Sequence, residues 1–554
     1  MSDFLDSREE VLALTKQLVG INSIVNTEGE MVIAHSLYTL LASYPYFANN
    51  PQHLVLEQTT DDYYDRYNVL AFVKGTKKPS NRTVILMGHT DTVGVDDFNQ
   101  LHLYAFQPDE WMEILKEEDI PQTARDHLHS GEWLFGRGAL DMKSGLSSHL
   151  YLIKYYAEHP EELEGNIVLV AECDEEDSSN GILSALTTLK KWKKEHQFEY
   201  VAAINADFVA PRYEGDQNRY VYKGTVGKLL PSFFITGAET HVGAAFEGLD
   251  PNFVASELTK QLSYNAALCN EAYGEVTVPP VALKQMDLKP AYDVQTALSV
   301  FSYYNFFIHS WSPKDVLELL RKQAETAFQH ALQTFENRYK EFCSISGQRF
   351  QPISWKPRVI TYEEMDDMLI KAHGDTYTVH MDNFKKDLLH VDTLDIRMYA
   401  ARVVEEAWKW MEDKNPTIIL FYSSLYSPRI EITGKTKDEQ VLIKALEKAV
   451  EDIQPNYEHP IVIKNFYPYI SDMSFLALSD DDKDLAPVAD NNPSWGSKFF
   501  VNYQDIRDLN VPVINIGPYG VDAHKKLERM EMTYSLEVVP NLTNKVIQNV
   551  LHKD

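Results

Sequence analysis

The sequence predicts an α/β fold: a mostly parallel sheet flanked by helices and interrupted by an inserted α+β module. Three observations predict it. Short apolar runs of strand length alternate with stretches of helical period. Polar and acidic residues stand at the strand exits, where ligands of such sheets bind. The texture changes near Lys223 and then returns, as an insertion would make it.

The elements follow in order. Ser7 to about Leu41 reads as two helices broken at Gly20–Ser23, with Ser7 and Glu10 spaced like a capping box. Asn68–Val73 and Val84–Met87 are strands. The polar, aromatic stretch Asp96–Glu132 is too long for a connection, so it reads as an insertion with a helix around Asp109–Glu118. A glycine-flanked segment, Gly136–Gly145, leads into a helix over Leu146–Tyr156. Strand Asn166–Glu172 ends in the acidic run Asp174–Asp177, and strand Val201–Asn205 ends at Asp207.

From about residue 224 the pattern is strand (Gly227–Thr236), helix (Asn252–Tyr264), extended pair (Leu283–Leu288 and Ala297–Ile308) and long helix (Pro313–Phe342), closed by a strand at Arg358–Thr361. Helices at Asp392–Trp410 and Lys437–Ile453, with strands Ile418–Tyr422 and Val511–Ile516, then read as completing the first sheet. The expected division is a catalytic domain in two parts, residues 1–223 and 363–554, around an inserted domain at 224–362.

The totals narrow the function. The 554 residues exceed one ordinary core, and 44% hydrophobic with 24% charged residues is a globular composition. The net charge of -30 repels phosphate backbones and anionic lipid, so neither nucleic acid nor membrane is an expected partner. Cys173, Cys269 and Cys343 form no CxxC pair, and no apolar run spans a bilayer. The acidic opening MSDFLDSREE is unlike a secretory signal, so the expected location is the cytoplasm.

Five separated segments offer His89, Asp141, Glu175 with Glu176, Asp207 and His524. Taken singly, each has an ordinary role: core histidine, helix cap, solvated turn, loop acid, surface histidine. Together they form a histidine and carboxylate set without thiolates, which suits zinc and also manganese or cobalt. A hydrolytic pair of metals ~3.5–4 Å apart needs a bridging carboxylate and two further ligands on each ion. Asp141, in a tight loop between Gly138 and Gly145, fits the bridge, leaving two histidines and two carboxylates. Of the adjacent Glu175 and Glu176, one can bind metal while the other stays free as a proton acceptor.

HTDTV at His89–Val93, GRGALDMKSG at Gly136–Gly145, DEED…G at Asp174–Gly181 and the final GPYG…AH…E resemble the zinc aminoacylase and carboxypeptidase family, the M-twenty metallopeptidases, which include desuccinylases and peptidase T. Within it, the long chain, aromatic insertion and DEEDSSNG variant resemble a branch linked to arginine utilisation. The resemblance implies a zinc-peptidase-like catalytic domain with a ferredoxin-like lid that also forms a homodimer. It implies one ion on His89, Asp141 and Asp207 and a second on Asp141, Glu176 and His524, with Asp91 orienting His89 and Glu175 as general base. His241 in GAETHVG would stabilise the oxyanion. The implied reaction is hydrolysis of an amide in a small amino-acid-derived substrate, an N-acyl amino acid or short peptide, within arginine or ornithine catabolism. A non-catalytic metal-binding or regulatory protein on the same scaffold is the alternative.

The pattern departs from the family at one place. Tyr292–Phe307 contains no arginine to grip a substrate carboxylate, which leaves Arg358 or Arg397 for that task. Its aromatic run Phe301–Phe307 reads as a buried strand, and Cys173 as a small core residue.

Overall fold

The computed structural model describes residues 4–60, 62–391 and 394–552. The chain forms two units, the first of Met1–Thr225, Ile430–Leu478 and Asn502–Asp554, the second of Val226–Arg429 and Ser479–Val501.

The first unit is built on an eight-stranded mixed sheet. Its strand order is Leu54–Gln58, Tyr67–Lys74, Glu164–Glu172, Lys78–His89, Glu199–Asn205, Val513–Asn515, Arg219–Tyr222, Ile461–Lys464. The four central strands run parallel, so their carboxyl ends share one edge. Register carries this to single residues: His89 lies opposite Glu172, Met87 opposite Asn205, and Asn205 opposite Asn515. Val84–Met87 and Ile167–Val170 are wholly buried, as strands covered on both faces must be.

Helices Ser144–Glu158 and Val539–Leu551 pack on the His89 strand, and Asn180–Glu195 on Tyr67–Lys74 and Glu164–Glu172. Leu146, Leu150 and Ile153 are fully buried, each contributing roughly 1.5–3 kcal/mol. The insertion carries helices Pro108–Leu115 and Gln122–Ser130 around a cluster of Phe98, Phe106, Trp111, Leu115 and Phe135.

The expected capping box at Ser7 does not form. The Ser7 hydroxyl donates instead to the Leu536 carbonyl at 2.7 Å, tying the first helix to the last segment of the chain. Capping boxes form at Ser312 with Asp315 and Thr361 with Glu364, heading helices Pro313–Ser346 and Tyr362–His373.

The domain boundaries also differ from those read in the sequence. Strand Ile418–Tyr422 pairs antiparallel with Pro231–Thr236 and parallel with Val359–Thr361, in the second unit's sheet rather than the first. Helix Ile396–Lys409 buries Tyr399, Val403, Val404 and Ala407 against Phe234, Phe301 and Phe421 there. Asp392, the expected start of that helix, lies outside the described residues. An apolar run announces burial without naming its sheet, so the second unit extends past residue 362 to Arg429 and also takes in Ser479–Val501. Val513–Asn515 and helix Lys437–Ile453 do belong to the first unit. The aromatic strand Ser299–Ile308 is largely buried, with Phe301 and Tyr304 fully so.

Candidate metal and catalytic site

The site is assembled at the shared carboxyl edge of the central strands. His89 is the last residue of its strand and 2% exposed. Its Nδ1 lies 3.1 Å from the Asp91 carbonyl oxygen and 3.5 Å from the Asp91 carboxylate. That leaves Nε2 facing Asp141 Oδ1 at 3.2 Å and Glu175 Oε2 at 3.9 Å. Asp141 turns its other oxygen the opposite way: Oδ2 is 2.9 Å from His524 Nε2. The same His524 nitrogen is 3.1 Å from Glu176 Oε1. Asp141 therefore stands between two histidines with one oxygen against each.

Glycines make these approaches possible. A Cβ on Gly145 would lie 2.1 Å from the Ala206 carbonyl oxygen, and one on Gly517 1.9 Å from that of Asp207. Both contacts are with backbone, so any larger residue would push the Asp141 helix or the last strand away from the Asp207 loop.

The acidic run divides. Asp91 accepts the backbone N–H groups of Glu175 and Glu176 at 3.3 and 3.1 Å, locking their turn beside His89. Glu175 then points toward His89 and Glu176 toward His524. Asp174, at φ 66°, turns aside to Arg66 at 2.9 Å. Asp207 is held by its N–H to Asn515 Oδ1 at 3.0 Å, with the Ser471 and Tyr467 hydroxyls beside its carboxylate.

Burial and crowding shift His89, Asp141, Glu175, Asp207 and His524. Desolvation works against a charged His89, but its bonds to Asp141 and Asp91 raise it well above the ordinary histidine value. His524, also opposed by burial, is pushed up to about 11 by Asp141 and Glu176. Asp141 is pulled far down by the two histidines despite its burial. Burial carries Glu175 well above the carboxylate range and Asp207 to about 7. Displaced groups gathered at a sheet edge make this the candidate functional site.

Of the eight residues expected from the sequence, seven (His89, Asp91, Asp141, Glu175, Glu176, Asp207 and His524) belong to the first unit. His89, Asp141 and Glu176 each offer a ligand atom within 4.8 Å of the others. His241 belongs to the second unit, exposed, heading a short turn and accepting the Gly243 N–H at 3.0 Å. Arg358 makes an ion pair with Asp413 at 2.9 Å. Cys173 is buried with its thiol against Asn68 Oδ1, and burial raises it well above the usual thiol value.

Three residues of the site have no role assigned by the sequence motifs. Glu528 is fully buried; it binds Arg137 at 2.7 Å and accepts the N–H groups of Leu140 and Asp141 at 3.2 and 3.3 Å. It sets the Asp141 loop, and its signal was the glutamate four residues after His524. Glu172 closes an apolar strand, and Asp472 follows an aromatic segment; both are 1% exposed. Neither position carries a recognisable spacing.

The model of peptidase family M20/M25/M40 matches residues 85–483, which include seven of the eight expected site residues, all but His524. The chain is 36% identical to Protein RocB of Bacillus subtilis over 547 residues, 99% of this chain and 96% of that one. It belongs to peptidase family M20/M25/M40. It is thus a hydrolase of the metallopeptidase and amidohydrolase kind. The uncharacterized protein YqjN of Bacillus subtilis is 33% identical over 547 residues, 98% of this chain and 97% of that one. Among solved structures, the dipeptidase Dug1p of Saccharomyces cerevisiae is similar in fold, at 11% identity, with 98% of this chain and 96% of that chain covered and a TM-score of 0.53. Among the described residues, no helix of this family member is long and apolar enough to cross a membrane.

Proposed function

We propose that the chain hydrolyses an amide of a small amino-acid-derived substrate with two divalent ions, one held by His89, Asp141 and Asp207, the other by Asp141, Glu176 and His524. The observation that carries this reading is the divided Asp141 carboxylate, with Oδ1 at 3.2 Å from one histidine and Oδ2 at 2.9 Å from the other. The donors fit such ions: imidazole nitrogens and carboxylates without a thiolate suit zinc, with manganese and cobalt as close alternatives. Glu176 Oε1, buried against the His524 imidazole at 3.1 Å, also fits a cation. When bound, the ions supply Lewis acidity to the substrate carbonyl and the attacking water.

The chain's own residues do the rest. Asp91 fixes the His89 ring so that Nε2 faces the cluster, and holds the Glu175–Glu176 turn. Glu175, the acid left over from the ligand set, takes a proton from the attacking water and returns it to the leaving amine. His241 donates to the oxyanion, a contribution of roughly 3–4 kcal/mol to the barrier. The inserted unit acts as lid and dimer surface, and the cytoplasm is the working compartment.

The substrate is an N-acyl amino acid or short peptide, and the branch resemblance puts arginine and ornithine derivatives first. The test loads purified protein with zinc, manganese or cobalt and assays N-acyl amino acids beside dipeptides. Hydrolysis of one class is expected. Two bound ions without turnover on either class would sink the substrate assignment, and His524→Ala leaving metal content unchanged would sink the ligand set. His241→Ala should lower kcat by ~10²–10³-fold with metal content unaltered.

A further inference from the structure

Three carboxylate oxygens in the described residues are buried without a hydrogen-bond partner or ion pair: Glu172 Oε2 and both oxygens of Asp472. Neither residue belongs to the ligand set proposed above.

The fold places the two together. Glu172 lies opposite His89 in the parallel ladder, so its side chain leaves the same face of the sheet as the His89 ring. On that face the Asn205 amide donates to Ser471 Oγ at 2.8 Å, which sets the residue before Asp472 over the strand ends. Asp472 opens the short turn Asp472–Phe475, whose members are all buried. Burial, together with the neighbouring Asp472 carboxylate, holds Glu172 well above the usual carboxylate range, and the Ser179 hydroxyl lies beside Asp472.

Glu172 and Asp472 add two acids to those the proposed ions would neutralise. Asp91, Asp141, Glu172, Glu175, Glu176, Asp207 and Asp472 are grouped here, and two divalent ions offset only four of those negative charges. Lys143, the buried lysine on this side, directs its ammonium to the Ile21 carbonyl at 2.8 Å. A buried unpaired carboxylate is expensive enough that evolution either protonates it or gives it a partner.

We infer that Glu172 and Asp472, with the Ser179 hydroxyl, form a separate site for a hard, oxygen-seeking cation beside the catalytic ions. All its donors are oxygens, which disfavours zinc and favours calcium or magnesium. Magnesium sheds water reluctantly, whereas calcium accepts irregular, dehydrated oxygen shells. Calcium is therefore the expected occupant. Its two charges cancel those of the pair.

The test uses the full chain, stripped with a chelator, saturated with zinc or manganese and dialysed against calcium, magnesium or potassium. Elemental analysis should find one calcium per chain beyond the transition metal, and calcium should raise Tm by ~2 °C or more. Asp472→Asn and Glu172→Gln should lose the calcium and its Tm shift while keeping the transition metal. No added ion in the wild type under any of the three salts would overturn the proposal and leave the pair sharing a proton. That wild-type measurement stands even if a variant fails to fold. Loss of zinc or manganese from the wild type would instead count against the proposed catalytic centre.

Discussion

Two clusters of buried charge occupy the first unit, one around Arg66 and one around Asp141. Arg66 makes ion pairs with Glu30, Asp62 and Asp174 at 3.2, 2.6 and 2.9 Å, every partner at most 3% exposed. Among the described residues, the ion pairs of Asp141, Glu175 and Glu176 are made with His89 and His524. The first cluster holds a permanent cation among its acids. The second gathers acids against two imidazoles that can be charged or neutral, and so calls for cations the chain does not encode. Asp174 and Glu175 are neighbours in sequence, yet they fall on opposite sides of this divide. Acidic composition alone therefore does not mark a metal site; the identity of the partner does.

The largest expected effect separates the two neighbours by chemistry. Glu175→Gln should reduce kcat by ~10²–10⁴-fold while metal content stays at the wild-type level. Steady-state kinetics beside elemental analysis reads both, and near-normal turnover would remove Glu175 as the base. The counterpart in the other cluster is Arg66→Met, which leaves three buried acids without their guanidinium. It should cost about 3–5 kcal/mol in urea unfolding without changing the metal count. If added zinc restored that stability, the Arg66 cluster would not be the self-sufficient one.

The sequence exposed the second cluster better than the first, for a physical reason. His89, Asp141, Asp207 and the acidic run stand at the ends of apolar strands or in a glycine-flanked loop, positions that chain pattern can locate. Arg66 lies between two strands with no pattern around it, and its role exists only in the folded contacts. Asp472 and Glu172 were hidden likewise, because each meets its neighbours through tertiary packing. The fold followed the same rule. Val84–Met87 and Asn166–Glu172 were legible as buried strands, but whether Ile418–Tyr422 joined the first or second sheet depended on partners that an apolar run does not name. The seven first-unit candidates could be recognised individually, while the division of Asp141 between two histidines could not.

A smaller effect tests how the second cluster is held. Asp91 supplies the acceptor for two backbone N–H groups and faces the His89 ring, without belonging to the proposed ligand set. Asp91→Ala should weaken metal binding by ~10–100-fold, as loss of an orienting carboxylate typically does. Chelator competition measures it; unchanged affinity would mean that the Glu175–Glu176 turn holds its shape unaided.

The smallest effect is a slope, and its sign differs between the clusters. His89 and His524 are raised, the latter to about 11, so both carry protons near neutral pH that metal must displace. Metal affinity should then climb as pH rises from 6 to 8, by up to ~tenfold per unit for each proton released. In the Arg66 cluster, burial raises Asp174 to about 8 and Glu30 to about 7, against Arg66 pulling them down. Acids raised in this way contribute stability that is complete below their unfolded values, near 4, and is lost as pH rises through 7 and 8. Over the same interval, then, metal binding should strengthen while the urea stability of chelator-treated protein declines. Replacing Arg66 by Met should move both acids still higher and shift that decline to higher pH, whereas the affinity slope should stay where the histidines put it. A common response of both curves to Arg66→Met would mean that the two clusters titrate as one.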